Sequence, residues 1–122
     1  MILVDTAIWI DHLDATEPRL VDLLAVDQVG CHDLVVEEMA LGSIAQRDVL
    51  LDLLANLYQF PVIDHREVLH LTNERRLWGR GLSAVDVHLM AAVAMVGGAQ
   101  LWTRDRRLQS ACADTKVQLF DG

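Results

Sequence analysis

The stretch LSAVDVHLMAAVAMVGGAQLWTRD, residues 82–105, decides the fold. Ser83 to Val96 reads as a helix, stopped by Gly97-Gly98. Its residues Ala84, Val85, Val87, Leu89, Met90, Ala91, Ala92, Val93, Ala94, Met95 and Val96 are apolar nearly all round, so it belongs inside the protein. Only Asp86 and His88 interrupt it. Leu101-Trp102-Thr103 follows as a short strand, and Asp105 to Ala111 as another helix.

Working outward, the same alternation recurs. Ile2-Leu3-Val4 reads as a buried strand, Thr6 to Leu13 as a helix, and Leu20 to Val26 as a second helix with Pro18 near its start. Gln28 to Cys31 is a weaker strand. Leu34 to Leu41 reads as a helix stopped at Gly42, and Val49 to Tyr58 as another. Phe60 to Ile63 reads as a strand, Glu67 to Trp78 as a helix, and Val117 to Phe120 as the last strand. Short apolar strands alternating with helices imply an α/β fold: a parallel sheet covered on both faces. In such sheets functional groups gather beyond the carboxyl ends of the strands.

The chain has 122 residues, 52% of them hydrophobic, which suits one domain over residues 1–122 with a real core. The longest apolar-plus-Gly run, Leu89 to Ala99, is too short to cross a bilayer. The start, Met1-Ile2-Leu3-Val4-Asp5, does not look like a signal peptide. Cys31 and Cys112 are far apart and form no CxxC pair, which points to buried thiols in a reducing, cytoplasmic setting. The net charge of −8 argues against a nucleic-acid partner. Its distribution softens that objection: eight of the ten basic residues lie from Arg66 onward, with Arg104, Arg106 and Arg107 clustered.

Four acidic residues stand out. Asp5 directly follows the first strand, and Asp105 follows Leu101-Trp102-Thr103 by two residues. Both therefore fall at the carboxyl edge of the sheet, where capping of the next helix and function fit equally well. On a helical wheel Glu38 sits in the middle of the apolar arc Leu41, Leu34, Glu38, Gly42, Val35 and Met39. This places it on the face expected to be buried, where an unpaired carboxylate is costly. Asp86 interrupts the buried helix, and Ser83-x-x-Asp86 also has the shape of a capping box. Converging like charges oppose ionisation, and a hard cation removes that cost. Magnesium or manganese suits an all-oxygen set, and no His/Cys set at zinc spacing is present. His12, His32, His65, His70 and His88 are scattered. Trp9 and Trp102 read as core residues.

Four segments together resemble PIN domains, and in size and spacing the VapC-type toxins of type II toxin–antitoxin pairs. They are Leu3-Val4-Asp5-Thr6, then Val36 to Gly42 around Glu38, then Leu82 to Ala91 around Asp86, then Leu101 to Leu108 around Asp105. The ordered set spans nearly the whole chain. The resemblance implies a PIN-like (Rossmann-like) α/β/α sandwich, magnesium-dependent endoribonuclease activity and inhibition by a cognate antitoxin. It carries the acidic site onto Asp5, Glu38, Asp86 and Asp105, with Asp5 and Asp86 as principal metal ligands and Thr6 and Thr103 as nearby hydroxyls. At the position after Thr6, often polar in the family, stands Ala7. Arg104 and Arg107 are candidates for holding flanking phosphates of an RNA substrate.

Three rivals are weaker. A receiver-like phosphate-accepting domain would use Asp64 after the strand Phe60–Ile63, but the first strand ends in one acid, not two, and the only lysine is Lys116. No GxGxxG follows a strand, which disfavours a nucleotide-binding module. A catalytically idle PIN-like interaction module would not need four acids. Finally, apolar residues cover about two-thirds of the wheel of Val49 to Tyr58, more than one stripe against a sheet requires. The excess predicts a protein interface, and the resemblance implies its use: a homodimer, with the antitoxin nearby and offering an arginine to the acidic site.

Overall fold

Ile2, Leu3 and Val4 form β1 (Ile2–Val4), and all three are buried in the computed structural model, which describes residues 1–122. Consecutive strand residues point to opposite faces, so this sheet is covered on both sides. The chain continues through α1 (Thr6–Asp14), α2 (Pro18–Ala25), β2 (Val29–Cys31), α3 (Asp33–Leu41) and α4 (Arg47–Ala55). Then come β3 (Tyr58–Gln59), α5 (His65–Glu74), α6 (Ala84–Ala94), β4 (Gln100–Trp102) and α7 (Arg106–Thr115). All pairings are parallel, in the order β3-β2-β1-β4.

That order matters for function. The chain steps from β1 outward to β2 and β3, then crosses back to lay β4 on the other side of β1. The reversal leaves a crevice beyond the carboxyl ends of β1 and β4. Leu3 pairs with Leu101 and Val4 with Trp102, so Asp5 and Thr103 emerge side by side at this point. The ladder runs one step further, with Asp5 N donating to Trp102 O at 3.0 Å.

Helix α6 is the buried helix its composition demands. Val87, Leu89, Met90, Ala92 and Val93 join a cluster with Leu3, Val4, Trp9 and Leu101. Trp9 and Trp102 are core residues, the latter with its ring centroid 5.1 Å from that of Phe120. Helices α1 and α4 pack on α3, and α5 packs on α6. No helix is long and apolar enough to cross a membrane.

Several boundaries differ from the sequence reading. The strand expected at Phe60–Ile63 lies at Tyr58–Gln59. Phe60 N still donates to Cys31 O at 2.8 Å, and the chain leaves the sheet at Pro61. Register here depends on Gly30, where a Cβ would sit 2.4 Å from Phe60 Cε2. The helix expected at Glu67–Trp78 ends at Glu74, and it begins earlier because the Asp64 side chain caps it by accepting from Glu67 N at 2.9 Å. This employs the residue a receiver domain would have needed as acceptor. The last expected strand shrinks to one parallel bridge, Leu101 with Leu119. Helix α4 stops at Ala55, which frees Tyr58 for β3.

Candidate active site

Asp5 ends β1 and caps α1. Its Oδ1 accepts from Thr6 N at 2.8 Å, and its Oδ2 accepts from the Thr103 hydroxyl at 2.7 Å. Thr103 follows β4 and is buried. Its Oγ1 also accepts from Asp105 N at 3.1 Å, and its carbonyl accepts from Gln109 Nε2 at 2.8 Å. One hydroxyl thus ties the Asp5 carboxylate to the start of the α7 segment. Asp105 caps α7, its Oδ1 accepting from Arg107 N at 2.9 Å and Leu108 N at 3.1 Å.

Asp86 arrives from the opposite wall. It lies in the first turn of α6, in a complete capping box. Asp86 N donates to Ser83 Oγ at 3.1 Å, and Ser83 N donates to Asp86 Oδ2 at 2.9 Å. The capping and site readings therefore coexist: the box uses one oxygen and holds the carboxylate at the helix mouth.

Glu38 corrects an expectation. It is exposed, because the buried stripe of α3 runs through Val35 and Met39 and leaves Glu38 at its edge, while Leu41 is 89% exposed. Its partner is Thr6, whose hydroxyl donates to Glu38 Oε1 at 2.6 Å. Both threonines expected near the site are thus committed to orienting carboxylates. Arg104 is likewise committed: its guanidinium pairs with Asp11 and, at 2.8 Å, with Glu17. It is not the free phosphate-binding cation the sequence suggested. Arg107 makes no ion pair and no side-chain hydrogen bond to another residue.

The carboxylates feel one another. Burial raises the Asp5 carboxyl above its ordinary value; hydrogen bonds from Thr103 and Thr6 oppose this, and the charges of Glu38 and Asp105 add to it. Asp86 is raised too, first by burial, against the Ser83 hydrogen bonds, and further by Asp5 and Asp105. Beneath them the Cys112 thiol is pushed up to about 12 by burial and by the Asp86 charge. Cys31 is pushed to about 11, mainly by burial, and both thiols are free and buried.

His32, one of the five scattered histidines, is a core residue with a capping role the sequence did not show. It is fully buried and caps α3, its Nδ1 accepting from Leu34 N at 3.0 Å. Burial lowers its pKa first, then the neighbouring His88, whose ring centroid is 5.9 Å away. Histidine is not among the preferred N-cap residues, so the pattern around Leu34 carried no cue. Also unseen was a cleft of about 320 Å³ between α5, α6 and the end of α7, floored by Leu77, Met90 and Ala91; none of the four acids lines it.

Comparison with known proteins agrees with this fold. The PIN domain model matches residues 2–114. The chain belongs to the PIN domain family. It is similar to Ribonuclease VapC32 of Mycobacterium tuberculosis, from two strains, at 67% identity over 121 residues, covering 99% of this chain and 98% of that protein. It also resembles the crystal structure of PAE2754 from Pyrobaculum aerophilum, with a TM-score of 0.54 at 22% identity, covering 90% of this chain and 78% of that one. That likeness speaks for the fold.

Whether this PIN domain suits a divalent cation can be judged from its donors. Glu38 Oε2, Asp86 Oδ1 and Asp105 Oδ2 accept no hydrogen bond from the chain, while each partner oxygen is pinned. That is an all-oxygen, hard-ligand set with one free oxygen per group. The set is loose as it stands: no three acidic, histidine or cysteine side chains are gathered at metal-binding spacing. Mutual repulsion of like charges acts in that direction. The donor chemistry fits magnesium or manganese.

Proposed function

We propose that this PIN domain is a magnesium-dependent endoribonuclease, with manganese as a substitute, acting as the toxin of a VapBC-type pair. One observation carries the reading. Acids from four separate elements act on one another's charge beyond the ends of β1 and β4, and burial plus mutual repulsion raise two of them. Structural ion networks pair acids with bases; this one pairs acids with hydroxyls and backbone N–H groups. The 67% identity to a protein named a ribonuclease supports the same assignment.

Asp5 and Asp86 would be the principal metal ligands, with Glu38 and Asp105 completing the site directly or through water. When bound, such an ion polarises a phosphoryl oxygen and acidifies a water for in-line attack. The chain's own residues supply the rest. Thr103 holds Asp5 and Thr6 holds Glu38, which fixes two carboxylates before substrate arrives. The charge they present excludes a bare phosphodiester until a cation is bound, so cleavage is switched by the ion. Arg107, with no carboxylate partner, is the flanking phosphate contact; Arg104 stays with Asp11 and Glu17.

The whole chain would act as one cytoplasmic domain, consistent with a single apolar cluster and two unpaired buried cysteines. It would work as a homodimer through the apolar surface at α3–α4, where Leu41, Val49 and Leu53 are exposed. A cognate antitoxin segment would cover neighbouring apolar surface and offer an arginine to the four acids. The test is cleavage of total RNA by the pure protein, with magnesium, with manganese and with excess EDTA. Metal-dependent cleavage lost on Asp86→Asn is the expected result. Undiminished cleavage in EDTA would refute the metal mechanism, and no cleavage of any RNA with either ion would favour an idle interaction module.

A further inference from the structure

A second cleft, of about 290 Å³, is lined by Arg80, Arg106, Arg107 and Ser110, with no hydrophobic residue among them. Three guanidinium groups around one opening are unexpected in a chain of net charge −8, because their repulsion has to be offset. The offset is partial. Arg80 is anchored by Asp114 at 2.8 Å and by Ser110 Oγ at 3.2 Å, which fixes it as one wall. Arg106 and Arg107 make no ion pair, and both are exposed. Two positive charges are left without a partner.

The cleft is also built. Arg107 lies across the bare backbone of Gly81, where a Cβ would sit 2.5 Å from Nη1 and 2.8 Å from Cδ. Gly81 has φ +77, a conformation that glycine adopts without cost. The free backbone N–H groups at the start of α7 are not what the cleft offers, because Asp105 already takes those of Arg107 and Leu108. The attraction comes from the side chains.

Its position relative to the acids gives it a role. One wall is the first two turns of α7, which Asp105 caps; the other is the segment Arg80–Gly81, which leads through Ser83 into α6 and Asp86. The two elements that carry Asp86 and Asp105 to the crevice therefore also carry the arginines. Arg106 and Arg107 follow Asp105 directly in the chain, so the cationic cleft begins where the acidic cap of α7 ends.

We propose that this cleft holds the phosphodiester backbone of the RNA strand beside the cleaved bond, with Arg106 and Arg107 each meeting one phosphate and Arg80 as a fixed positive wall. The proposal rests on the ribonuclease reading and adds Arg106 and Arg80 to the Arg107 contact that reading already assigned. Contacts of this kind set register and affinity without reading bases. They also answer the charge objection, since the protein needs a local track and not a basic surface.

The test measures binding of a fluorescent single-stranded RNA oligonucleotide as a function of salt, in the Asp86→Asn background to prevent cleavage. Arg106→Gln/Arg107→Gln should flatten the slope of log affinity against log salt by about 1.4, at ~0.7 per phosphate on a single strand. It should weaken affinity at low salt equally for oligonucleotides of different sequence. Arg66→Gln/Arg76→Gln removes the same charge elsewhere and should leave the slope within about 0.3 of the background, separating local contact from net charge. In the active enzyme the Arg106/Arg107 pair should raise KM with kcat nearly unchanged. Gly81→Ala, which displaces Arg107, should give about half the slope change. Melting temperatures check that every variant folds. RNA that binds the Arg106/Arg107 variant with unchanged slope, or an equal loss in the Arg66/Arg76 control, overturns the cleft while leaving the ribonuclease reading intact. Loss of an acidic protein partner with RNA binding unaffected would overturn it also. If the unsubstituted protein neither binds nor cuts any RNA, the ribonuclease reading falls, and the cleft proposal with it.

Discussion

Thr103→Val is the substitution that most directly probes how the site is held. Valine matches threonine in shape, so packing at this buried position is kept and only the hydroxyl is lost. Two hydrogen bonds go with it: the 2.7 Å donation to Asp5 Oδ2 and the 3.1 Å acceptance from Asp105 N. A bond to an ionised group contributes about 1.5–3 kcal/mol, and the Asp105 N–H, at an exposed residue, can turn to water at smaller cost. The net loss is about 2–3 kcal/mol. For a chain of this length each kcal/mol moves Tm by ~4 °C, so thermal melting at neutral pH should show a drop of about 8–12 °C. Activity should change in a second, separable way. The Thr103 hydrogen bond lowers the Asp5 pKa against the effect of burial. Without it, Asp5 rises further, and the acid limb of the kcat/KM profile should move to higher pH. Thr103→Ser, which keeps the hydroxyl, should restore the acid limb. A valine variant melting within about 1 °C of the parent, or with an unmoved acid limb, would refute the view that Thr103 sets the Asp5 carboxylate.

Other outcomes follow from the same geometry. Asp86→Asn should abolish cleavage yet raise Tm at neutral pH without divalent cation. Asp86 has a raised native pKa, so its favourable contribution is present at low pH and is lost as pH rises through that pKa; the gain from asparagine should accordingly vanish in acid. A Tm for Asp86→Asn below the parent's at neutral pH would contradict this. Adding magnesium to the parent should raise Tm, by ~2.7 kcal/mol of stability at a hundredfold excess over Kd, and the rise should be absent in Asp5→Asn. Val49→Glu/Leu53→Glu should convert a dimer to a monomer in light scattering, since both side chains are exposed, at 64% and 41%; an unchanged mass would place the interface elsewhere. Leu54 in the same helix is fully buried, so Leu54→Glu should unfold the protein instead. Gly30→Ala should cost at least about 1–3 kcal/mol by chemical denaturation, because the new Cβ overlaps the Phe60 ring.

What the sequence by itself determined was periodicity and punctuation. The run from Ala84 to Val96, apolar but for Asp86 and His88, marked an interior helix, and Ile2-Leu3-Val4 marked a strand covered on both faces. Asp5 and Asp105 follow their strands directly, so their place at the carboxyl edge was legible, as was the Ser83–Asp86 capping box. The short or edge elements were not. Phe60–Ile63 has the composition of a strand, but the strand lies at Tyr58–Gln59, where Phe60 packs over the bare backbone of Gly30. The face of Glu38 was misjudged for a related reason: a wheel gives the angles between side chains, whereas the neighbours α1 and α4 decide which angle is inside. Only tertiary structure could show that Thr6 and Thr103 turn their hydroxyls onto carboxylates, or that Arg104 is taken by Asp11 and Glu17. The same holds for Arg80, which stands 26 residues from Arg106 in the chain and shares a cleft with it. Local sequence fixes which conformations a segment can adopt and which side chains it can bury. Partners far apart in the chain meet only through strand order, and here the reversal between β1 and β4 brings the acids, the hydroxyls that orient them and the arginines beside them to one edge of the sheet.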